Sequence, residues 1–498
     1  MVASSEYVSP RYGGWRRPDR GGLGSLSTAA TVLLVLGPMF GVMIFLAFAW
    51  PPTLMFLAAW GAVMLLLLVR DRHGRTLIHH GSAWLAHARA RSSKATLYRS
   101  GVLSRIPLGR HMLPGLLAST ELSEHTTARG TPFALVRYPA TRHYAVVIEA
   151  SPDGQTLVDA ETVDYRVAQW GHWLAALANE PHLHAAAVTI ETTPDSGARL
   201  RRQMRATLNE DAPELSRQVY AEIMDSYPAG SAQVRAWVTL VFRGGTRRRR
   251  NAKEMALEIS SRLPELTSNL QHVGAGEARP VTAQELCELV RVVYDPASAA
   301  IMAYARADQE VPELSWDQVG PVTHEARWDH YVHDSAVSRT WAMTLPPRGE
   351  VYSHVLTRLL EPARGVDRKR LTMTYRPFDP ARAVRAVEGA VDRAEFRVTG
   401  SARPTARAKA ARSAARQAAD EEARGAGLVQ FDMLLTATVG SVDALPDATA
   451  MIDSLSASAR VQLRAVNGSQ DSAFAACLPL GVIPADHSRI SSGAREAL

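Results

Sequence analysis

The chain has almost no lysine: its basic residues are nearly all arginine, with lysine only at Lys94, Lys253, Lys369 and Lys409. An Arg- and Ala-rich, Lys-poor chain follows from GC-rich coding. For the formal charge of +7 that reading takes precedence over an arginine code for nucleic acid. Cys287 and Cys477 are the only cysteines, which excludes a disulfide framework and a cysteine zinc site and fits a reducing compartment. No Gly-Lys pair occurs, so a loop that cradles nucleotide phosphates is excluded. Gly274-Ala275-Gly276 lacks the third glycine and following helix of a dinucleotide site. His324-Glu325 begins like a metalloprotease helix, but Trp328 stands where the second histidine is needed. No Gly-x-Ser-x-Gly elbow is present. These absences leave no catalytic, cofactor-binding or metal-ligating residue expected, and no cofactor.

The longest absence is of charge. Between Arg20 and Arg70 there is no Asp, Glu, Lys, Arg or His. Pro51-Pro52 divides this stretch into two arms, about Leu26–Trp50 and Thr53–Val69, the first long enough to span a bilayer and the second near the short limit. Leu34 and Phe45 lie within the first arm, Trp60 within the second, and Trp50 sits at the bend as an interfacial anchor. Arg16, Arg17 and Arg20 precede the pair, while Arg70, Arg72 and Arg75 follow it. The positive-inside rule then puts both ends in the cytoplasm, giving a multi-pass cell-membrane protein. A cleaved signal peptide is disfavoured by the length of the apolar part and the lack of a cleavage site. A core hairpin would rarely lack every charge.

Past the hairpin the chain is long enough for two or three domains with real cores. Residues 1–25 read as a cytoplasmic arm, 26–69 as the hairpin and 70–130 as a basic juxtamembrane segment facing anionic lipid. Phe133–Tyr138 and Tyr144–Glu149 read as a β-hairpin, then a helix over Val163–Leu177 and a strand over Ala186–Thr192. A strand over Val234–Phe242 follows, and Thr282 with Glu285 forms a capping box. Thr340–Leu345 and Arg370–Tyr375 read as strands around a helix from Val351 to Leu360. Asp379-Pro380 starts another helix. Leu428–Val439, Ala448–Ala459 and Val461–Val466 complete a βαβ run. The expected fold class is α+β, a transmembrane hairpin followed by ferredoxin-like α/β sandwich domains at 131–310 and 311–485, with a tail at 486–498. Residues 400–425, Ala- and Arg-rich, read as an exposed helical arm.

Two features invite chemistry. His324, His330 and His333 form the densest histidine cluster, with Asp329 and Asp334 nearby. If extended, the segment puts His330 opposite His333, which argues against convergence on a metal and for a solvated strand or turn. His182 and His184 flank an apolar strand and read as edge or satisfied positions. Arg247, Arg248, Arg249 and Arg250 form a basic surface in a loop, ordinarily solvated, with anionic lipid or direct nucleic-acid contact as the alternative.

Short stretches resemble a known family. They are Tyr12-Gly13-Gly14-Trp15, Leu113-Pro114-Gly115-Leu116-Leu117, Pro132-Phe133-Ala134-Leu135-Val136, Trp170-Gly171-His172-Trp173-Leu174 and Glu191-Thr192-Thr193-Pro194-Asp195. The run Phe474-Ala475-Ala476-Cys477-Leu478-Pro479-Leu480-Gly481 is similar to the passage from amino-terminal domain to motor in conjugative type IV secretion ATPases. Together they resemble an actinobacterial family that joins the two-helix inner-membrane subunit to the non-motor half of such an ATPase. The resemblance implies a non-enzymatic membrane component of a type IV-like conjugation or secretion apparatus. Its expected partners are a separate motor ATPase, other membrane subunits and further copies of itself. A two-helix component of a type VII-like machine is the alternative.

Overall fold

The structure is a computed structural model. It describes residues 9–15, 28–48, 50–69, 71, 75–101, 111–152, 158–194, 206–207, 211–226, 232–245, 251–308, 312–347, 349–400 and 402–487. Two apolar helices come first, α1 (Thr28–Phe48) and α2 (Trp50–Leu68), then α3 (Leu77–Ser92) and β1 (Leu97–Arg99). The first half of the body opens with β2 (Glu121–Thr126), β3 (Pro132–Tyr138), β4 (His143–Ser151), α4 (Ala160–Ala176) and β5 (Leu183–Pro194). It continues through α5 (Glu214–Ser226), β6 (Ala232–Arg243), α6 (Ala252–Leu270), β7 (Glu277–Pro280), α7 (Ala283–Tyr294) and α8 (Ser298–Asp308). The second half opens with β8 (Thr323–Ala326), β9 (Tyr331–His333), β10 (Ala336–Leu345), α9 (Thr357–Leu360) and β11 (Arg368–Pro377). It ends with α10 (Pro380–Thr399), α11 (Ala406–Ala423), β12 (Val429–Val439), α12 (Leu445–Ser458), β13 (Gln462–Ala465) and α13 (Gln470–Ala476).

The body is a mixed α+β fold built on one antiparallel sheet of 13 strands. Its two halves repeat one topology. In the first, β7, β4, β6 and β5 lie side by side, and β3 shares the outer edge of β4 with β7. In the second, β13, β10, β12 and β11 lie in the same relation, with β9 sharing the edge of β10. Each half thus runs strand, helix, strand, strand, helix, strand, apart from helices inserted between its second and third strands (α5 in the first half, α10 and α11 in the second), with its third strand between its first and second. The halves join where β5 pairs with β11, so one sheet runs through both.

Local chemistry sets these elements. The β3–β4 turn has Arg142 at φ +58°, and the capping box closes with Glu285 N donating to Thr282 Oγ1 (3.3 Å) and Thr282 N to Glu285 Oε2 (3.0 Å). Asp379 caps α10 by accepting from Ala381 N at 3.1 Å. The helix expected over Val351–Leu360 is corrected: only Thr357–Leu360 is helical. Val351 instead exchanges two 2.8 Å backbone hydrogen bonds with Tyr12, so its polar groups are not free to start a helix. The Ala/Arg-rich stretch forms α11, inserted between β11 and β12, and it is not free-standing. Ala415 is buried in its packing on α10, where Ala390 and Ala394 are also buried, and Arg416 pairs with Glu395 at 2.5 Å.

The sheet has two covered faces in the first half. Phe133 and Leu135 face Trp173 of α4 and Ile259 and Leu263 of α6, whereas Ala134, Val136 and Tyr138 face the other way, the period-2 alternation of a strand. That other face is covered by α7 and by a strap, residues 477–487, which crosses from the second half to the first. Thr372 donates to the Cys477 carbonyl (2.9 Å), Thr239 to Pro479 (3.1 Å) and Tyr138 to Leu480 (2.7 Å). Gly481 has φ +78°, and a Cβ there would stand 2.7 Å from Val241 Cγ2, so only glycine lets the strap lie this close.

At the junction of the halves, Glu191 on β5 faces Arg370 on β11 in register, and both are buried. They form an ion pair, with Arg368 Nη1 3.7 Å from the same carboxylate. Burial alone would raise the Glu191 pKa, but Arg370 and Arg368 outweigh it and hold the carboxyl below its ordinary value. Removing one member leaves an uncompensated buried charge, at a cost of about 3–5 kcal/mol. Glu191→Ala is therefore expected to lower unfolding stability by roughly that amount in urea titrations, and Glu191→Ala with Arg370→Met to recover most of it.

Candidate functional site

The first candidate region is the helical hairpin. Both helices are long and apolar enough to cross a membrane, and most of their large apolar side chains are exposed. Phe45 and Trp50 are exposed, Leu34 and Trp60 half-buried, and Pro51 and Pro52 occupy the first turn of α2, where proline fits without a lost hydrogen bond. Ala49 lies outside the described residues. The helices meet along Gly37 and Gly41, spaced four apart on one face of α1. A Cβ at Gly37 would stand 1.8 Å from Trp60 Nε1, and one at Gly41 3.1 Å from Leu57 Cδ2. Trp60 donates to the Leu33 carbonyl at 3.1 Å, one residue before the Leu34 carbonyl that Pro38 leaves without its helical donor. This small-xxx-small seam is the packing that apolar helices use where no hydrophobic drive exists. It was legible as Gly37-Pro-Met-Phe-Gly41.

Just past α2 lies a cleft of about 570 Å³ between the start of α3 and the second half of the body. Arg75, Arg339 and Arg464 line it with Trp328, Trp341 and Asp453. Asp71 ties the entry down, accepting from Arg75 N (2.9 Å) and pairing with His80 Nε2 (2.9 Å). The Arg339 guanidinium lies over the Trp341 ring at 5.6 Å, and the Nε atoms of Arg339 and Arg464 have no hydrogen-bond partner. Burial first, then nearby Arg75, lowers the Arg464 pKa to about 10. The cleft is cationic, with unspent donors.

The histidines flagged in the sequence are placed differently from expectation. His324, His330 and His333 are buried rather than solvated. His324 pairs in register with His333 across β8 and β9 and stacks on Tyr98. His333 Nδ1 lies 2.6 Å from the Tyr294 carbonyl and its Nε2 2.8 Å from Ser338 Oγ, while His330 Nδ1 pairs with Asp329. Each ring has its own contact, and the three do not converge. The seam between β-strands and α7 claimed them because Tyr294, Tyr331 and Phe474 wall it from water.

A different trio does converge. His143 opens β4, His184 lies on β5 and Asp486 is on the strap; their ligand atoms lie within 4.8 Å of one another. The two imidazoles stack with centroids 4.7 Å apart, and His184 Nε2 is 2.7 Å from Asp486 Oδ2. His143 Nε2 is 4.0 Å from the same oxygen, buried, and without a hydrogen-bond partner. Burial, then the neighbouring His184, pushes the His143 pKa down to about 4. Asp486 is held below the usual carboxylate range: burial opposes this, and the His184 hydrogen bond outweighs it. Sequence reading missed this trio because its members are scattered along the chain; His184 was read as an edge or satisfied position.

Arg247, Arg248, Arg249 and Arg250 lie outside the described residues. Cys287 and Cys477 are buried free thiols, with burial raising their pKa to about 12 and about 11.

Residues 19–79 match the family model of a domain of unknown function, DUF8461, a span that takes in both apolar helices and the start of α3. No curated protein matches the chain.

Burial lowers the pKa of His143, His324 and His333 to about 4 in each case. In the unfolded chain these rings titrate near the ordinary value of about 6.5. Between those values the unfolded state binds more protons, so stability is full above about pH 6.5 and falls as pH drops toward 4. Urea midpoints of the full-length chain should fall steadily across that window. A flat profile would show that the rings are not held neutral.

Proposed function

We propose that this protein is a non-enzymatic, membrane-anchored platform of a type IV-like conjugation or secretion apparatus. The hairpin crosses the membrane twice with both termini in the cytoplasm, and the two halves of the sheet are ferredoxin-like units. The observation that carries this reading is the pair of charge-free helices whose apolar side chains are mostly exposed among the described residues. Their glycine seam supports a hairpin that inserts as one piece. The cationic cleft beside α2 supports contact with anionic lipid at the cytoplasmic face, where the surface potential attracts arginine.

The partner in this reading is a separately encoded motor ATPase, with other membrane subunits and further copies of the chain completing the assembly. Anchoring the platform raises the effective concentration of a docked motor at the membrane without new chemistry. The motor docks on the α+β surface rather than on arginine-rich stretches, because stable interfaces rest on an aromatic and aliphatic centre while charge sets approach rate.

Reporter fusions at Gly14 and Ser82 should both report the cytoplasm, and an opposite-side result at either would sink the hairpin. Leu34→Arg should impair insertion, at a cost of about 2.5–3.5 kcal/mol at the centre of a span. The purified full-length chain should bind the purified motor of its own secretion system. Exchanging Arg247–Arg250 for Ser should leave that affinity within a few-fold and reduce mainly its salt dependence. Loss of motor binding with the fold intact would instead make the arginine run the docking site.

A further inference from the structure

The trio on the strap has a feature that hydrogen bonding leaves unexplained. His184 and Asp486 satisfy each other at 2.7 Å, as an ordinary histidine–carboxylate pair would. His143 does not join them. Its Nε2 is aimed at the same oxygen from 4.0 Å, beyond hydrogen-bond reach, and has no other partner although the side chain is only 2% exposed. A buried polar atom facing two further donor atoms across a gap fits a site whose centre is an ion.

We propose that His143, His184 and Asp486 bind a divalent transition-metal ion, zinc in the first instance, which pins the strap to the sheet. The donors come from three separate elements: β4, β5 and the turn Pro484–His487. Two imidazole nitrogens and a carboxylate oxygen are a donor set for zinc or its first-row neighbours, not for calcium or magnesium, which take oxygen. Tetrahedral zinc with bonds of about 2.0–2.1 Å sets its ligand atoms roughly 3.3 Å apart. The 2.7 Å contact must open and the 4.0 Å contact close, each by less than about 1 Å, and the two imidazole nitrogens, within 4.8 Å of each other, must close by at most about 1.5 Å. Three protein ligands leave a fourth position, for water or for His487, whose ring is edge-on to Tyr138 beside the site. Among the described residues, exposed Arg243, near both His143 and Asp486, is a neighbouring cation whose charge opposes the ion.

The site is independent of any role in secretion. The ion would join two strands of the first half to a segment that arrives from the second, so its binding is felt as order in the strap. Binding only to the folded state also raises stability by mass action.

The test uses the full-length chain, purified in detergent without a histidine tag and stripped with chelator. Zinc added in competition with a chromophoric chelator should load one ion per chain, and excess magnesium or calcium should not displace it. Cobalt should give the visible absorption of a four-coordinate site. Zinc should also slow amide exchange in residues 479–487. His184→Gln should weaken zinc binding at least 10–100-fold, the range seen when even outer partners of metal ligands are lost, and should remove the exchange effect. Asp486→Asn, isosteric and half-exposed, should do the same with the apo fold intact, and it decides the matter alone if His184→Gln does not fold. Failure of the wild-type chain to retain zinc against the chelator would overturn the proposal. So would one-to-one binding that survives Asp486→Asn, since the ion would then sit among other histidines.

Discussion

The β5–β11 ladder is the constraint on which the rest of the body depends. Among the described residues it is the place where strands of the two halves pair, and it carries a buried carboxylate between two arginines. Without that pairing each half would present a long strand, β5 or β11, as an open edge, the surface on which sheets aggregate. The ion pair also fixes register. A slip by one residue would turn Glu191 to the opposite face and leave Arg370 alone in the interior. The strap reinforces the same join from above, bonding to β11 through Cys477 and to β6 and β3 through Pro479 and Leu480.

The two halves share a topology but not a surface. The face beneath the strap is apolar over the first half, through Val136, Tyr138, Ala145 and Val241. Toward the second half it becomes a seam of hydroxyls, with Thr189 bonded to Thr372, Thr340 to Thr436 and Ser338 to Thr438. Those hydroxyls satisfy one another across strands, which lets the seam be buried without a hydrogen-bond deficit. The histidine–carboxylate trio belongs to the apolar side. The position on β10 that corresponds to His143, by its place next to the preceding hairpin strand, is Ala336.

Local signals in the sequence located most elements and long-range ones located almost none. The absence of charge marked the two apolar helices, β-rich runs marked β3 to β5, alternation marked β6, and the Thr282 and Asp379 caps marked helix starts, because each depends on neighbours within a few residues. The Val351–Leu360 helix was misread because Val351 spends its backbone on Tyr12, far away in the chain. His324, His330 and His333 looked solvated because polar residues close together in sequence suggest a loop; their burial depends on aromatic walls from α7, β9 and α13. The Ala/Arg-rich helix was seen as polar all round, yet its alanines make a narrow stripe that α10 accepts. His143, His184 and Asp486 come together only through strand order and the path of the strap, which no spacing rule encodes.

The central ladder also sets a clock. Glu191 and Arg370 are 179 positions apart in the chain. At synthesis rates of about 5–20 residues per second, the edge of β5 waits on the order of 10–35 seconds before its partner strand leaves the ribosome. The apolar helices emerge long before that. During the wait the strands of the first half are made with one raw edge, and the strap that covers their other face comes later still; a second copy made nearby offers the same strand. A protein built in this way gains from being delivered to a surface early and from keeping its ribosomes apart.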